Sequence, residues 1–191
     1  MEPTLPSTDR QRRARLIAMS GWVIVLLSAG SGLLPILGPA DGAPVIGAML
    51  VAAGLAEAVA AWHRLETRKL IMGAAVLTIV SGLLFATEAA ARLLPALYIV
   101  AGWLTGRAIL FFLAAGLEHG RVRGWTLVSA LTDAALAALL IVGISIATLV
   151  VALFGATPPM IASFAWVLAL SFVTTGLALV EVAACARRED V

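Results

Sequence analysis

The chain has 191 residues, of which 62% are hydrophobic and 13% charged, and its net charge at pH 7 is +2. Soluble domains are about 45–50% apolar with glycine included and about 25% charged. This composition therefore excludes an ordinary soluble enzyme, a disordered chain and a nucleic-acid-binding protein. The single cysteine excludes a disulfide scaffold and a cysteine-based metal site within one chain.

Six stretches are long and apolar enough for a transmembrane helix, which needs about 20 such residues. A backbone in lipid must satisfy its own hydrogen bonds, and these stretches are too long for membrane-barrel strands. The predicted fold class is all-α, a polytopic transmembrane bundle over residues 16–186. The predicted helices are 16–37, 44–62, 70–87, 93–117, 125–143 and 161–186.

The two ends of the chain are predicted to be cytosolic tails, a basic one at 1–15 and a short one at 187–191. The basic start followed by an apolar run is also typical of a signal peptide. The run at 16–37 is longer than the about 7–15 residues of a signal's apolar region, so we expect a helix that is retained.

The apolar stretch that begins at Trp125 continues to Ala156 with one charge, which is too long for a single perpendicular helix. Gly143 is a candidate break. Residues 144–156 then form an interfacial or re-entrant piece, or the fifth helix is long, tilted and projects from the membrane.

The basic residues indicate the orientation. Eleven of the 13 lie on one side of the predicted membrane, one lies on the other side, and Arg107 lies within a span. Basic loops stay in the cytoplasm. We therefore expect a multi-pass protein of the bacterial inner membrane with both termini in the cytoplasm.

Short sequence patterns recur along the chain and predict three parallel helix-hairpin repeats. The odd-numbered helices share a pattern that is anchored at Ser31, Ser81 and Asp133. The even-numbered helices share one that contains Gly54, Gly106 and Gly176. Parallel repeats argue against transporter folds built from inverted halves.

Four features cover nearly the whole chain: GWVIVLLSAGSGLLPIL after a basic start, GLAEAVAAWHR at the end of the second span, the basic linker HRLETRKL, and GW after RVR. In these features the chain resembles the HdeD family of acid-resistance membrane proteins. The resemblance implies six inner-membrane spans and a link to survival in acid, and it supplies no catalytic residues. The longer connection between the fifth and sixth helices departs from the family pattern.

Charged residues inside the spans are expensive and need partners. Arg107 lies about 15 Å and Asp133 about 12 Å from the cytosolic ends of neighbouring helices, so we predict that they pair. Glu57 and Glu181 lie nearer the cytosolic ends, where they either face Arg107 or reach the interface. A network of all four is a candidate proton or ligand site, and the alternative is a structural clasp that fixes helix register.

Alanines at four-residue spacing predict close helix packing, within one chain or in a homo-oligomer. They are Ala48, Ala52, Ala56, Ala60, Ala130, Ala134 and Ala138. His63 and His119 lie near the cytosolic ends of helices, as interfacial residues or as pH sensors.

No phosphate-binding, dinucleotide-binding or nucleophile motif is present, so we expect no enzyme activity, cofactor or metal. The expected surroundings are the lipid bilayer and an unidentified protein partner, without nucleic acid. Two functions stay open, namely a non-catalytic protein of acid or envelope stress and a small proton, ion or solute transporter.

Overall fold

A computed structural model describes residues 7–37, 42–64, 66–87, 96–142 and 159–188. All regular structure in these ranges is helical. Each helix is long and apolar enough to cross a bilayer, so the chain is a multi-pass membrane protein built as an all-α bundle. The helices are α1 (Ser7–Leu37), α2 (Gly42–Trp62), α3 (Arg68–Ala86), α4 (Ala96–Leu117), α5 (Gly120–Ile141) and α6 (Pro159–Arg188).

Several helices are longer than the apolar stretches that predict them. Helix α1 begins at Ser7, so residues 7–15 of the predicted tail are helical. Helix α5 begins at Gly120 and ends at Ile141, whereas 125–143 was expected. Charged residues can continue a helix into water, and the apolar count does not include them. The predicted break at Gly143 and the segment 144–156 lie outside the described residues.

The helices form a closed ring in chain order, because each packs against its neighbours in sequence and α1 also packs against α6. The tighter contacts are α2 with α3, α4 with α5, and α6 with α1. The looser contacts are α1 with α2, α3 with α4, and α5 with α6. Tighter and looser contacts therefore alternate three times around the ring. Three tandem helix hairpins produce this pattern, with the looser contacts inside each hairpin and the tighter ones between hairpins.

Paired glycines bring two of the tighter helix pairs together. A Cβ atom built on Gly21 would lie 2.8 Å from the carbonyl oxygen of Gly176, and the reverse distance is also 2.8 Å. Gly47 and Gly82 face each other in the same way across α2 and α3, at 2.7 Å. Small residues allow such close backbone contact in membranes.

The alanine stripes do not follow the contacts within the chain. Ala60 and Ala130 are fully buried, but Ala48, Ala52 and Ala138 are exposed. Four residues turn an α-helix about 40° beyond a full turn, so a stripe at this spacing rotates away from its neighbour. These three residues therefore do not pack closely within the chain, and their packing at an interface between copies stays a prediction.

Candidate functional site

Arg107 lies at the centre of the bundle, fully buried in the middle of α4. Its Nη1 donates hydrogen bonds to both carboxylate oxygens of Glu57, at 2.6 and 2.8 Å. Its Nε donates to Oδ2 of Asp133 at 3.1 Å. The expected pair with Asp133 is therefore present, and Glu57 joins it.

Two threonine hydroxyls complete the contacts of the guanidinium. Nη1 of Arg107 also donates to Thr78 Oγ1 at 2.8 Å, and Nη2 donates to Thr175 Oγ1 at 2.9 Å. Glu57, Thr78, Arg107, Asp133 and Thr175, here called the Arg107 cluster, come one each from α2 to α6. One side chain therefore links five of the six helices.

Two aromatic side chains lie close to this guanidinium. Trp103 and Phe111, one helical turn before and after Arg107, place their ring centroids 5.4 and 4.8 Å from its Cζ. Aromatic faces attract a cation at such distances. The Trp103 indole N–H donates to Thr78 at 3.1 Å, which ties the ring to the cluster.

The Arg107 cluster holds one cation and two carboxylates, so its formal charge is −1 when all three are ionised. Glu57 is 2% and Asp133 0% exposed, and Ser171 donates a hydrogen bond to the second carboxylate oxygen of Asp133. Excess charge is disfavoured in a low-dielectric interior. The arrangement can therefore bind one proton, and the bound proton would make the cluster neutral.

Glu181 is not part of this cluster. Its Oε1 lies 3.0 Å from Nε of Arg121, whose side chain is 63% exposed. Glu181 lies six residues beyond Thr175 on α6, about 9 Å further along the helix. Glu181 therefore does not face Arg107, and the alternative that it reaches the membrane interface stays a prediction.

Sequence reasoning did not include Thr78, Thr175, Ser171 or Trp103. A signal for Thr175 was present, because it directly precedes Gly176, one of the three glycines of the even-numbered repeats. Arg107 directly follows Gly106 in the same pattern. The repeated glycines therefore mark the depth at which the cluster forms.

A second buried ion pair lies where α2 connects to α3 and α4 to α5, here called the linker end. Arg64 Nη1 donates to Glu118 Oε1 at 2.8 Å, and each residue is 7% exposed. The hydroxyls of Thr67 and Thr126 also donate to Glu118. These four residues, the linker-end cluster, join both connections. Burial lowers the pKa of Arg64, although Glu118 opposes this shift.

His63 lies beside this cluster, at the end of α2. Its backbone carbonyl accepts a hydrogen bond from Nε of Arg13, which ties the first part of α1 to α2. Partial burial and the charges of Arg13 and Arg12 lower the pKa of the imidazole from its usual 6.5. His63 is therefore neutral at neutral pH.

No group of three His, Cys, Asp or Glu side chains in the described ranges could hold a metal ion. The chain matches none of the protein-family models, curated proteins or solved structures with which it was compared. The chemistry of the site therefore has to be inferred from its own residues.

Proposed function

We propose that this chain is a non-catalytic protein of the bacterial inner membrane, resembling HdeD, that supports survival under acid or envelope stress. The proposal also places both termini of the chain in the cytoplasm. The motifs around Gly21 and Gly54 and the uneven distribution of basic residues support this proposal. The observation that carries it is the sharing of Arg107 between Glu57 and Asp133.

The uneven charge of the cluster connects the structure to acidity. A proton that binds to either carboxylate removes the excess negative charge, so a fall in pH acts on a contact shared by five helices. The Arg107 cluster is thus the place where the binding of one proton would change a contact that five helices share.

Survival of the source bacterium in acid tests this proposal. A strain without the gene should lose viability after an acid challenge, and the wild-type gene should restore it. Asp133→Asn removes a proton-binding carboxylate and should not restore survival. Arg121→Gln is the matched control, because the Arg121 side chain is 63% exposed and its ion pair with Glu181 is separate from the Arg107 cluster. Equal survival of the parent and the deletion strain would refute the role in acid.

Proton conduction is the second candidate function, and the charge of −1 on a buried cluster favours it. Purified protein in liposomes with a trapped pH dye would be given a pH step at fixed membrane potential. Conduction predicts flux above that of empty vesicles, with loss of the flux in Arg107→Leu. Traces that overlap for all three samples would exclude conduction by the isolated protein, and loss of acid survival without flux would favour the first function.

A further inference from the structure

Arg68, the first residue of α3, stacks on Trp62, the last residue of α2. Its Cζ lies 3.8 Å from the centroid of the Trp62 ring, and Trp62 is 62% exposed. The face of an indole attracts a cation at this distance. Within the described part of the chain, the Arg68 side chain donates no hydrogen bond and forms no ion pair. Its N–H groups can therefore bind an acceptor from outside the chain.

This stack lies at the depth of the lipid headgroups. Thr78, which contacts Arg107 at the centre of the bundle, is ten residues beyond Arg68 on α3, or about 15 Å away along the helix. That distance is half of the about 30 Å thickness of the hydrocarbon core. Tryptophan is enriched at this boundary, where one end of its ring meets lipid and the other meets water. Lipid phosphates are therefore acceptors within the reach of Arg68.

Two rows of exposed side chains run from this stack along the outside of the bundle. Residues four, seven or eleven positions apart lie within about 40° of each other around a helix, so each row stays on one face. The rows are Trp62, Val59 and Leu55 on α2, and Lys69, Val76 and Val80 on α3. Since α2 and α3 pack tightly together, the rows lie on adjacent helices. Each row has a cation at one end and an apolar surface beyond it, which suits a lipid with two acyl chains.

The charge of this corner favours an anionic lipid. Arg68 and Lys69 carry two positive charges, and the exposed Glu66 carries one negative charge, so the sum is +1. Arg64, in the same connection, is held by Glu118 and is not available. The phosphate of a zwitterionic lipid has a cation of its own headgroup beside it, whereas that of an anionic lipid does not.

The connection between α4 and α5 offers a comparison. Arg121 there pairs with Glu181 at 3.0 Å, and Arg123 is exposed. In the described ranges, Arg68 is the one arginine of these two connections that stacks on an indole. The two corners therefore share basic residues and differ in the stack.

We propose that the corner formed by Trp62, Arg68 and Lys69 binds the headgroup of an anionic phospholipid, whose acyl chains lie along the two rows. The planar guanidinium of Arg68 can donate two parallel hydrogen bonds to one phosphate, and Trp62 holds it in place. Lys69 supplies a second positive charge. The site is independent of a role in acid resistance and of the side of the membrane on which the linker end lies.

Native mass spectrometry of the full chain tests the proposal, because it counts bound lipids directly. Protein freed of lipid would be titrated in detergent with phosphatidylglycerol or with phosphatidylcholine that has the same acyl chains. We expect several-fold greater retention of phosphatidylglycerol, and equal retention of the two lipids would overturn the proposal. Inorganic phosphate at the lipid concentration should not compete, since it has no acyl chains, and competition would overturn the lipid as the occupant.

Two variants with the same change in charge locate the site. Arg68→Gln and Arg123→Gln each remove one positive charge near the start of a helix. We expect Arg68→Gln to lower the retention of phosphatidylglycerol several-fold and Arg123→Gln to retain it like the wild type. An equal loss in both variants would overturn the proposal, because it would assign binding to the general positive charge of the linker end.

Trp62→Leu tests the stack without a change in charge. Because Trp62 is largely exposed, this variant should fold, and it keeps both cations. We expect it to retain less phosphatidylglycerol than the wild type, since Arg68 is no longer held against a ring. Retention equal to that of the wild type would overturn the role of the stack in the site.

Discussion

Nη1 of Arg107 lies 2.6 and 2.8 Å from the two carboxylate oxygens of Glu57, although 50 positions separate the two residues in the chain. The contact joins α2 to α4, which are not neighbours in the ring. Glu57 therefore reaches Arg107 across the interior of the bundle. The hydrogen bonds of this pair define the centre around which the other polar groups are placed.

Removal of the guanidinium should destabilise the bundle strongly. Arg107→Leu leaves Glu57 and Asp133 buried side by side without a cation. Breaking a buried ion pair from one side costs about 3–5 kcal/mol. Denaturant unfolding in a fixed detergent mixture measures the loss. It should be far larger than the loss in Arg121→Gln, because the Arg121 side chain is 63% exposed and surface ion pairs are worth about 0–1 kcal/mol.

Removal of one carboxylate charge should cost much less. Asp133→Asn leaves Arg107 paired with Glu57, so the cluster becomes neutral, and the amide oxygen can still accept a hydrogen bond. The same unfolding measurement should therefore rank Asp133→Asn between Arg121→Gln and Arg107→Leu. A loss in Asp133→Asn as large as that in Arg107→Leu would contradict the view that the cluster carries an excess negative charge.

Depth in the membrane could be predicted from the sequence, but the direction in which a side chain faces could not. The rise of a helix places Arg107 and Asp133 at similar depths, and they are in contact. The same count gives Glu57 and Glu181 similar depths, yet only Glu57 faces the interior. Depth along a helix is the product of residue count and rise, whereas facing depends on rotation around the axis.

Helical spacing from the repeated glycines does not supply this direction. Arg107 follows Gly106 by one residue, a turn of about 100°, and is fully buried, whereas Glu181 follows Gly176 by five residues, a turn of about 140°, and is outside the Arg107 cluster. The threonines of the Arg107 cluster were not predicted, since a hydroxyl inside a span is common and carries no charge.

The contact between Gly21 and Gly176 should not tolerate a methyl group. Gly176→Ala would place Cβ 2.8 Å from a backbone carbonyl oxygen, so α1 and α6 would have to move apart. Overpacking of this kind costs about 1–3 kcal/mol. Gly102→Ala is the matched control, because a Cβ there meets no atom within 4 Å. Thermal unfolding should separate the two variants, and a Gly176→Ala protein as stable as Gly102→Ala would contradict the close contact.

The proposed orientation can be tested with reporters fused at two positions. A fluorescent protein that folds only in the cytoplasm should be bright after residue 191, and a periplasmic phosphatase fused there should be inactive. Both results should reverse for fusions after Arg92, which lies between α3 and α4. Bright fluorescence at both positions would contradict the topology, because the two sites are separated by an odd number of spans.

A mild fall in pH should reduce stability through His63, whose pKa is lowered in the folded protein. As the pH falls, the His63 imidazole takes up its proton in the unfolded chain before it does so in the folded one. The free energy of unfolding is therefore unaffected by His63 well above about pH 6.5. It declines as the pH falls from the pKa of the unfolded chain to that of the folded chain. The effect is small, because the imidazole is only partly buried. His63→Gln should weaken this pH dependence, measured as the difference in unfolding free energy between neutral and mildly acidic buffer. A His63→Gln protein that keeps the wild-type pH dependence would contradict the role of His63.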